Sequence, residues 1–179
     1  MLIINQSKTQ KGVGLIEILV ALILLALAVL GYVALQTKSI AASQESIVKT
    51  QAQSVIKGLA ENIRANNTAR NSYVSNINNY LNSTTAPKNC DSESCNSTQL
   101  ANYDAFKAMQ YAKSFGLSLG MAECPGMVEG SSFARQCIFA AWGNTTLTQS
   151  SGELNYSDCL NSTTGVYVSN SSCLMMELY

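Results

Sequence analysis

The sequence predicts an α+β protein in which a long N-terminal α-helix packs on a small antiparallel β-sheet. Three observations predict this class. An almost unbroken apolar run occupies residues 13–35, an amphipathic helical pattern continues to residue 66, and the later half combines strand-like stretches with six cysteines. Because a helix with one apolar stripe must bury that stripe against another layer, the sheet is expected to cover it.

The apolar run at 13–35 is interrupted only by Gly14, Glu17 and Gly31. As a helix it would be roughly 34 Å long, which is enough to cross a hydrocarbon core of about 30 Å. A transmembrane anchor, a cleaved secretory signal and a buried core helix are the three interpretations. The core helix is the weakest, because the remainder of the sequence is not apolar enough to surround it.

A secretory signal is suggested by Lys8 and Lys11 before the run and by Ala26-Leu27-Ala28, which matches an A-x-A cleavage site. Against it, apolar residues continue past position 28, and Glu17 places a costly carboxylate inside the hydrophobic region. The sequence therefore favours a transmembrane segment at 13–35.

The helical pattern continues as an amphipathic segment at 36–66. No proline interrupts residues 13–66, so one helix of about 80 Å is predicted. The apolar positions that recur with helical spacing are Ile40, Ile47, Val48, Ala52, Val55, Ile56, Leu59 and Ile63.

A polar connecting loop is predicted at 67–99, where Ser, Thr and Asn dominate and Pro87 occurs. A globular β-rich head is predicted at 100–179. We expect a short helix at its start, because apolar residues recur at every third position: Leu100, Tyr103, Phe106 and Met109. Strand-like stretches follow at 135–142, 165–169 and 173–179.

Composition argues against catalysis and nucleic-acid binding. The chain has no histidine, which excludes Ser-His-Asp and Cys-His catalysis, and its 11 basic residues are balanced by 11 acidic ones, so it has no basic footprint for nucleic acid. The acids of the head have no spacing that marks a paired-carboxylate site. These acids are Asp104, Glu123, Glu129 and Asp158. We predict no enzyme activity, no catalytic residue, no metal site and no cofactor.

A motif at the start of the apolar run carries a family resemblance. Lys11-Gly12-Val13-Gly14-Leu15-Ile16-Glu17, followed at once by the apolar helix, resembles the class III signal of type IV pilins and pseudopilins. The resemblance implies that residues 1–12 are a leader, that a prepilin peptidase cuts between Gly12 and Val13, and that the new amine of Val13 is methylated. It also implies that Glu17 pairs with the N-terminal amine of a neighbouring subunit, and it implies the pilin fold.

A narrower resemblance is to the PilV-type minor pilins of type IV pili. It rests on LIEILVALILLALAVLG at 15–31 and on Cys90-x4-Cys95 followed by Leu100-Ala101-x-Tyr103-Asp104 and Phe106. It implies a low-abundance subunit that primes pilus assembly, supports adhesion and twitching motility, and helps to present a large tip adhesin. The implied partners are prepilin peptidase, other minor pilins, the major pilin and inner-membrane lipid.

The resemblance implies a single-pass protein of the bacterial inner membrane with a periplasmic head, which then moves to the pilus, at its tip. A type II secretion minor pseudopilin shares the same N-terminal motif and stays an alternative. A major pilin and a membrane-anchored periplasmic enzyme are further alternatives.

The six cysteines lie beyond the apolar run, on the side that a pilin-like anchor would place in the oxidising periplasm, and their number is even. This favours three disulfides. A four-thiolate zinc site is disfavoured, because the spacings contain no C-x2-C pair. Six cysteines allow fifteen connectivities. Of these we expect the pairing of sequence neighbours, namely Cys90 with Cys95, Cys124 with Cys137 and Cys159 with Cys173.

Overall fold

The structure, a computed structural model, describes residues 12, 14–126, 135–150 and 152–178. These residues confirm the α+β class. The chain divides into two compact units, the N-terminal unit (Met1–Glu45) and the C-terminal unit (Ser46–Tyr179). The elements are α1 (Leu15–Ala65), a 3-10 turn (Asn67–Ala69), α2 (Arg70–Asn82), α3 (Ser97–Ser114), β1 (Ser118–Glu123), β2 (Gln136–Ala141), β3 (Thr148–Ser150), β4 (Glu153–Asn155) and β5 (Cys173–Leu178).

The described part of the N-terminal unit consists mainly of α1 residues with exposed apolar side chains. Leu15 is 89% exposed and Leu35 is 72% exposed. By length and composition, this helix is able to cross a membrane. Exposure of such an apolar surface to water is unfavourable, and its transfer into lipid is favourable. This agrees with the interpretation of 13–35 as a membrane segment.

The C-terminal unit is built on a three-stranded antiparallel sheet in the order β1-β2-β5. β2 is central and pairs along its whole length on both sides, with Ile138 opposite Met121 of β1 and Met176 of β5. β3 and β4 form a separate two-stranded hairpin.

Each face of the three-stranded sheet has its own apolar cluster. Side chains of α1, α2 and α3 pack with Leu119, Ile138 and Ala140 on one face, while Phe139 and Leu154 pack with the buried cysteines on the other. The helices therefore cover one face, as predicted, and the hairpin and disulfide loops cover the other.

The amphipathic part of α1 buries most of the predicted stripe. The buried residues are Ala52, Val55, Ile56, Leu59, Ala60 and Ile63. Ile40 and Ile47 are 58% and 53% exposed, so the expected burial of the stripe does not extend to them. Helical spacing identifies a shared face but does not say where along the helix the covering layer ends.

Helix α2 corrects the prediction of a loop at 67–99. Its buried residues Tyr73, Ile77 and Tyr80 recur at intervals of four and three, which is one face of a helix. Polar residues with low helix propensity, mostly Asn and Ser, separate them, so local composition concealed the pattern. Tertiary burial outweighs that propensity. Residues 83–96, which the structure describes throughout, contain neither helix nor strand.

Helix α3 confirms the short helix predicted at the start of the head, but its buried face differs. The buried residues are Ala101, Ala105, Met109 and Ala112, while Leu100 is 37% exposed. Met109 is the one large predicted residue that is fully buried, and the small alanines on the same face allow α3 to approach the other helices closely. Its start is fixed by a capping box, in which Asn96 accepts from the amide of Gln99 at 2.8 Å and donates to its side chain at 3.1 Å.

The strands predicted at 135–142 and 173–179 correspond to β2 and β5. The strand predicted at 165–169 is wrong: that segment makes one isolated bridge, between Leu160 and Tyr167. It lies inside a disulfide-closed loop that turns at Gly165, whose φ is +67°. β1, β3 and β4 were not predicted, because Gly120 breaks the apolar pattern of β1 and the hairpin strands have three residues each.

Three disulfides join the neighbouring cysteines of the sequence. They are Cys90–Cys95, Cys124–Cys137 and Cys159–Cys173. Cys137 and Cys159 are fully buried, whereas Cys90 and Cys95 are only half-buried.

Candidate functional site

The start of α1 is the candidate functional site. The carbonyl oxygen of Gly14 accepts hydrogen bonds from the amide of Glu17 at 2.9 Å and from that of Ile18 at 3.4 Å, so the helix begins directly after Gly14. Gly12 is exposed, and a Cβ atom placed on it would meet nothing within 4 Å. Val13, the predicted methylation site, lies outside the described residues. Gly12 is therefore exposed and outside the helix, which starts at Leu15.

Glu17 lies in the first turn of α1. A carboxylate in this position is favoured by the positive end of the helix dipole. Its flanking side chain Ile16 is 70% exposed and apolar, so the carboxylate belongs to the surface that would face lipid. Among the described residues, Glu17 forms no ion pair. A carboxylate in hydrocarbon needs a cationic partner, and the described part of the chain does not supply one.

The acids considered in the head are not assembled into one site. Asp104 accepts a hydrogen bond from the Tyr73 hydroxyl at 2.6 Å, and Asp158 accepts one from the Thr146 hydroxyl at 2.5 Å. Glu123 lines a cavity of about 390 Å³ together with Tyr156. Glu129 lies outside the described residues. Within the described ranges, no three metal-binding side chains are grouped to hold an ion.

A buried polar network joins the three helices, and sequence reasoning missed it. The hydroxyl of Tyr73 donates to Asp104 and also contacts the carbonyl oxygen of Asn62 at 3.4 Å, while the Asn66 amide donates to the backbone oxygen of Ser97 at 2.7 Å. Burial, followed by the hydrogen bond to Asp104, raises the pKa of Tyr73 above its usual value. The network fixes the helices relative to one another within the C-terminal unit.

Comparison with known families identifies the chain. The model of the prokaryotic N-terminal methylation motif matches residues 7–33, and that of type IV pilin Tt1218 matches residues 34–106. The chain is a prepilin-like type IV pilin. No significant match was found among curated proteins, and none was found among solved structures.

The two matched ranges divide this pilin at the end of its apolar run. The first includes Gly12 and Glu17, and the second extends from the middle of α1 to the middle of α3, including α2 and the Cys90–Cys95 disulfide. A pilin with this N-terminal motif is processed by a prepilin peptidase, is anchored in the membrane through its apolar helix, and is later assembled with other pilins. Its role is structural and not enzymatic.

Proposed function

We propose that this pilin is a minor pilin of the PilV type, which primes assembly of a type IV pilus and contributes to the tip complex that presents an adhesin. The observation that carries the proposal of an assembling subunit is Glu17: a carboxylate in the first turn of an exposed apolar helix, without a partner among the described residues. Its proposed partner is the N-terminal amine of a neighbouring subunit.

In this proposal, prepilin peptidase cuts between Gly12 and Val13, and the amine of Val13 is methylated. The exposure of Gly12 and the start of the helix after Gly14 support access of a protease to the residue before that bond. Cutting here makes Glu17 the fifth residue of the mature chain, on the first turn of its helix.

A minor role is supported by the C-terminal unit. A bulk fibre subunit must be complementary to itself above and below, since every copy makes the same contacts. This unit instead carries three disulfide loops and an irregular polar segment at 83–96, which suit a terminal position with unlike neighbours. The same features support a tip location and a role in adhesion and twitching motility.

The mass of the mature protein tests the processing step. Protein extracted from membranes or sheared pili should begin at N-methylated Val13 and keep Glu17. A mature terminus near residue 29 would contradict the proposal and indicate an ordinary secretory signal.

Replacing Glu17 tests the assembly step. Glu17→Ala should insert into the membrane and be processed normally, since losing a charge lowers the cost of burial in lipid, but it should enter pili poorly. Gln36→Ala, at the end of the apolar run, is the matched control and should assemble normally. If Glu17→Ala enters pili normally, Glu17 has no role in assembly and is only an acid that the membrane interface tolerates.

Two measurements distinguish a priming subunit from a major pilin or a pseudopilin: the effect of deleting the gene, and the proportion of this chain in purified fibres. Deleting the gene should reduce pilus number and twitching, and the remaining fibres should consist of another pilin. A dominant band of this chain in purified fibres would make it the major pilin. Loss of protein secretion with unchanged pili would favour the minor pseudopilin.

A further inference from the structure

The three-stranded sheet has two edge strands, β1 and β5, because β2 is central. The amide of Cys124 donates to Arg135 at 2.9 Å, which marks that pair as hydrogen-bonded. In an antiparallel register the pairs then alternate, so Met121 opposite Ile138 is a pair without mutual hydrogen bonds. The backbone N–H and C=O of Met121 therefore point away from β2. An edge with such free groups is a template on which another strand can pair.

The side chain of Asn78 occupies this position. Its Nδ2 donates to the carbonyl oxygen of Met121 at 2.8 Å, and its Oδ1 accepts from the amide of Met121 at 2.9 Å. A primary amide carries an acceptor and donors on neighbouring atoms, so Asn78 pairs with both outward groups of Met121, as one residue of a neighbouring strand would.

The position of Asn78 is fixed by the packing of α2. Asn78 is 1% exposed, and its neighbour Ile77 is fully buried in the core cluster between the helices and the sheet. This packing holds the side-chain amide of Asn78 against the outward N–H and C=O groups of Met121. The opposite edge has a related contact, since the outward amide of Met175 in β5 donates to the Tyr167 hydroxyl at 3.2 Å.

We propose that Asn78 is an edge-blocking residue, which stops β1 from pairing with β1 of a second copy of this chain. Antiparallel pairing of two identical edges is symmetric, so a second copy supplies a complementary strand without further adaptation. Blocking it keeps the C-terminal units separate while the chains are held at high local concentration by their membrane helices.

The test compares full-length protein in detergent carrying Asn78→Ala with the native chain and with Asn79→Ala. Asn79 is the matched control. It lies one residue further along α2 and is exposed, and its side chain accepts a bond from Gln149 at 3.2 Å but makes none with β1 among the described residues. Amide hydrogen exchange of Met121 and the mass of the protein–detergent complex are measured. In Asn78→Ala, Met121 should exchange at least about tenfold faster in the dilute protein, and dimers should appear as concentration rises. Asn79→Ala should match the native chain.

The second part of the test is to locate the surface through which the variant dimerises. In the dimer of Asn78→Ala, exchange protection should return at residues 119–123, and protection at any other surface would overturn the proposal. A folded Asn78→Ala that keeps its three disulfides and stays monomeric would also overturn it. If this variant does not fold, Asn78→Ser, which keeps a hydroxyl but cannot bridge both groups of Met121, is judged by the same outcomes. Failure of both to fold would assign Asn78 to stability alone and overturn the edge-blocking role.

Discussion

Position 120 in β1 requires glycine because the side chain of Leu154 lies over it. A Cβ atom at this position would approach Cδ1 of Leu154 to 2.5 Å, which is closer than carbon atoms pack. Leu154 comes from the hairpin β3–β4, so the missing side chain allows the hairpin to lie flat on the sheet. The local glycine that concealed β1 in the sequence is thus a requirement of its packing.

We predict that Gly120→Ala lowers the free energy of unfolding by about 1–2 kcal/mol, because Leu154 must move out of its contact. Gly58→Ala is the matched control: it lies within α1, where an added Cβ meets nothing within 4 Å, and should be neutral or stabilising by up to about 1 kcal/mol. Urea unfolding followed by the fluorescence of the single tryptophan, Trp142, measures both. Equal stability of Gly120→Ala and the native chain would show that Leu154 repacks without cost.

Three buried or partly buried tyrosines are expected to make the free energy of unfolding depend on pH in the alkaline range. Burial is the first cause that raises the pKa values of Tyr73, Tyr80 and Tyr156. The folded chain therefore holds these protons more tightly than the unfolded chain. We predict that these tyrosines leave the free energy of unfolding unchanged below the unfolded tyrosine pKa of about 10 and lower it above that pH, by up to about 1.4 kcal/mol per pH unit for each such group.

Tyr73→Phe should make this alkaline decline shallower, since it removes one of the titrating phenols. It should also lower stability near neutral pH by about 1–2 kcal/mol, because Asp104 loses a buried donor. Unfolding curves between pH 7 and 11 give both quantities. An unchanged slope in Tyr73→Phe would contradict the assignment.

Helix α2 shows how an element can be decided by tertiary contacts. We predict that Ile77→Ala costs about 2–4 kcal/mol, because Ile77 is fully buried between the helices and the sheet. Ser75→Ala, on the exposed side of the same helix, should change stability by less than about 0.5 kcal/mol. Denaturation of the two variants by urea is the measurement, and similar losses in both would mean that α2 is held by its backbone and not by its buried face.

The elements that sequence predicted are those whose pattern is long or strongly apolar. The membrane-type run, the stripe from Ala52 to Ile63, and strands β2 and β5 each carry enough apolar residues to define a period or a run. The methylation motif that contains Gly12 and Glu17 could be recognised because it is contiguous in sequence. The bonds of Asn66 to Ser97, of Tyr73 to Asp104 and of Asn78 to Met121 could not be predicted. They join residues that are 31 or more positions apart, and no local pattern pairs them.

At the scale of the whole molecule, the three disulfides differ in how far solvent reaches their cysteines. Cys90 and Cys95 are half-buried, while Cys124 and Cys173 are 7% and 8% exposed and their partners are fully buried. We predict that mild dithiothreitol opens Cys90–Cys95 first, because thiol–disulfide exchange needs access to a sulfur atom. Alkylation followed by peptide mass mapping gives the order, with Trp142 fluorescence reporting the fold. Earlier opening of either buried disulfide would contradict it.

Each disulfide also closes a loop between neighbours in sequence, and this determines how the chain would respond to tension along a fibre. The loops have sequence separations of 5, 13 and 14, and each is bridged by a Cα–Cα distance below 6 Å. They withhold roughly 100 Å of contour length from extension. Because all three lie after α1, a pull on that helix is opposed by the non-covalent packing of its stripe from Ala52 to Ile63. Under load the helix should separate from the rest of the C-terminal unit while the three disulfide loops stay closed, so the pilin would yield reversibly before those loops could be extended.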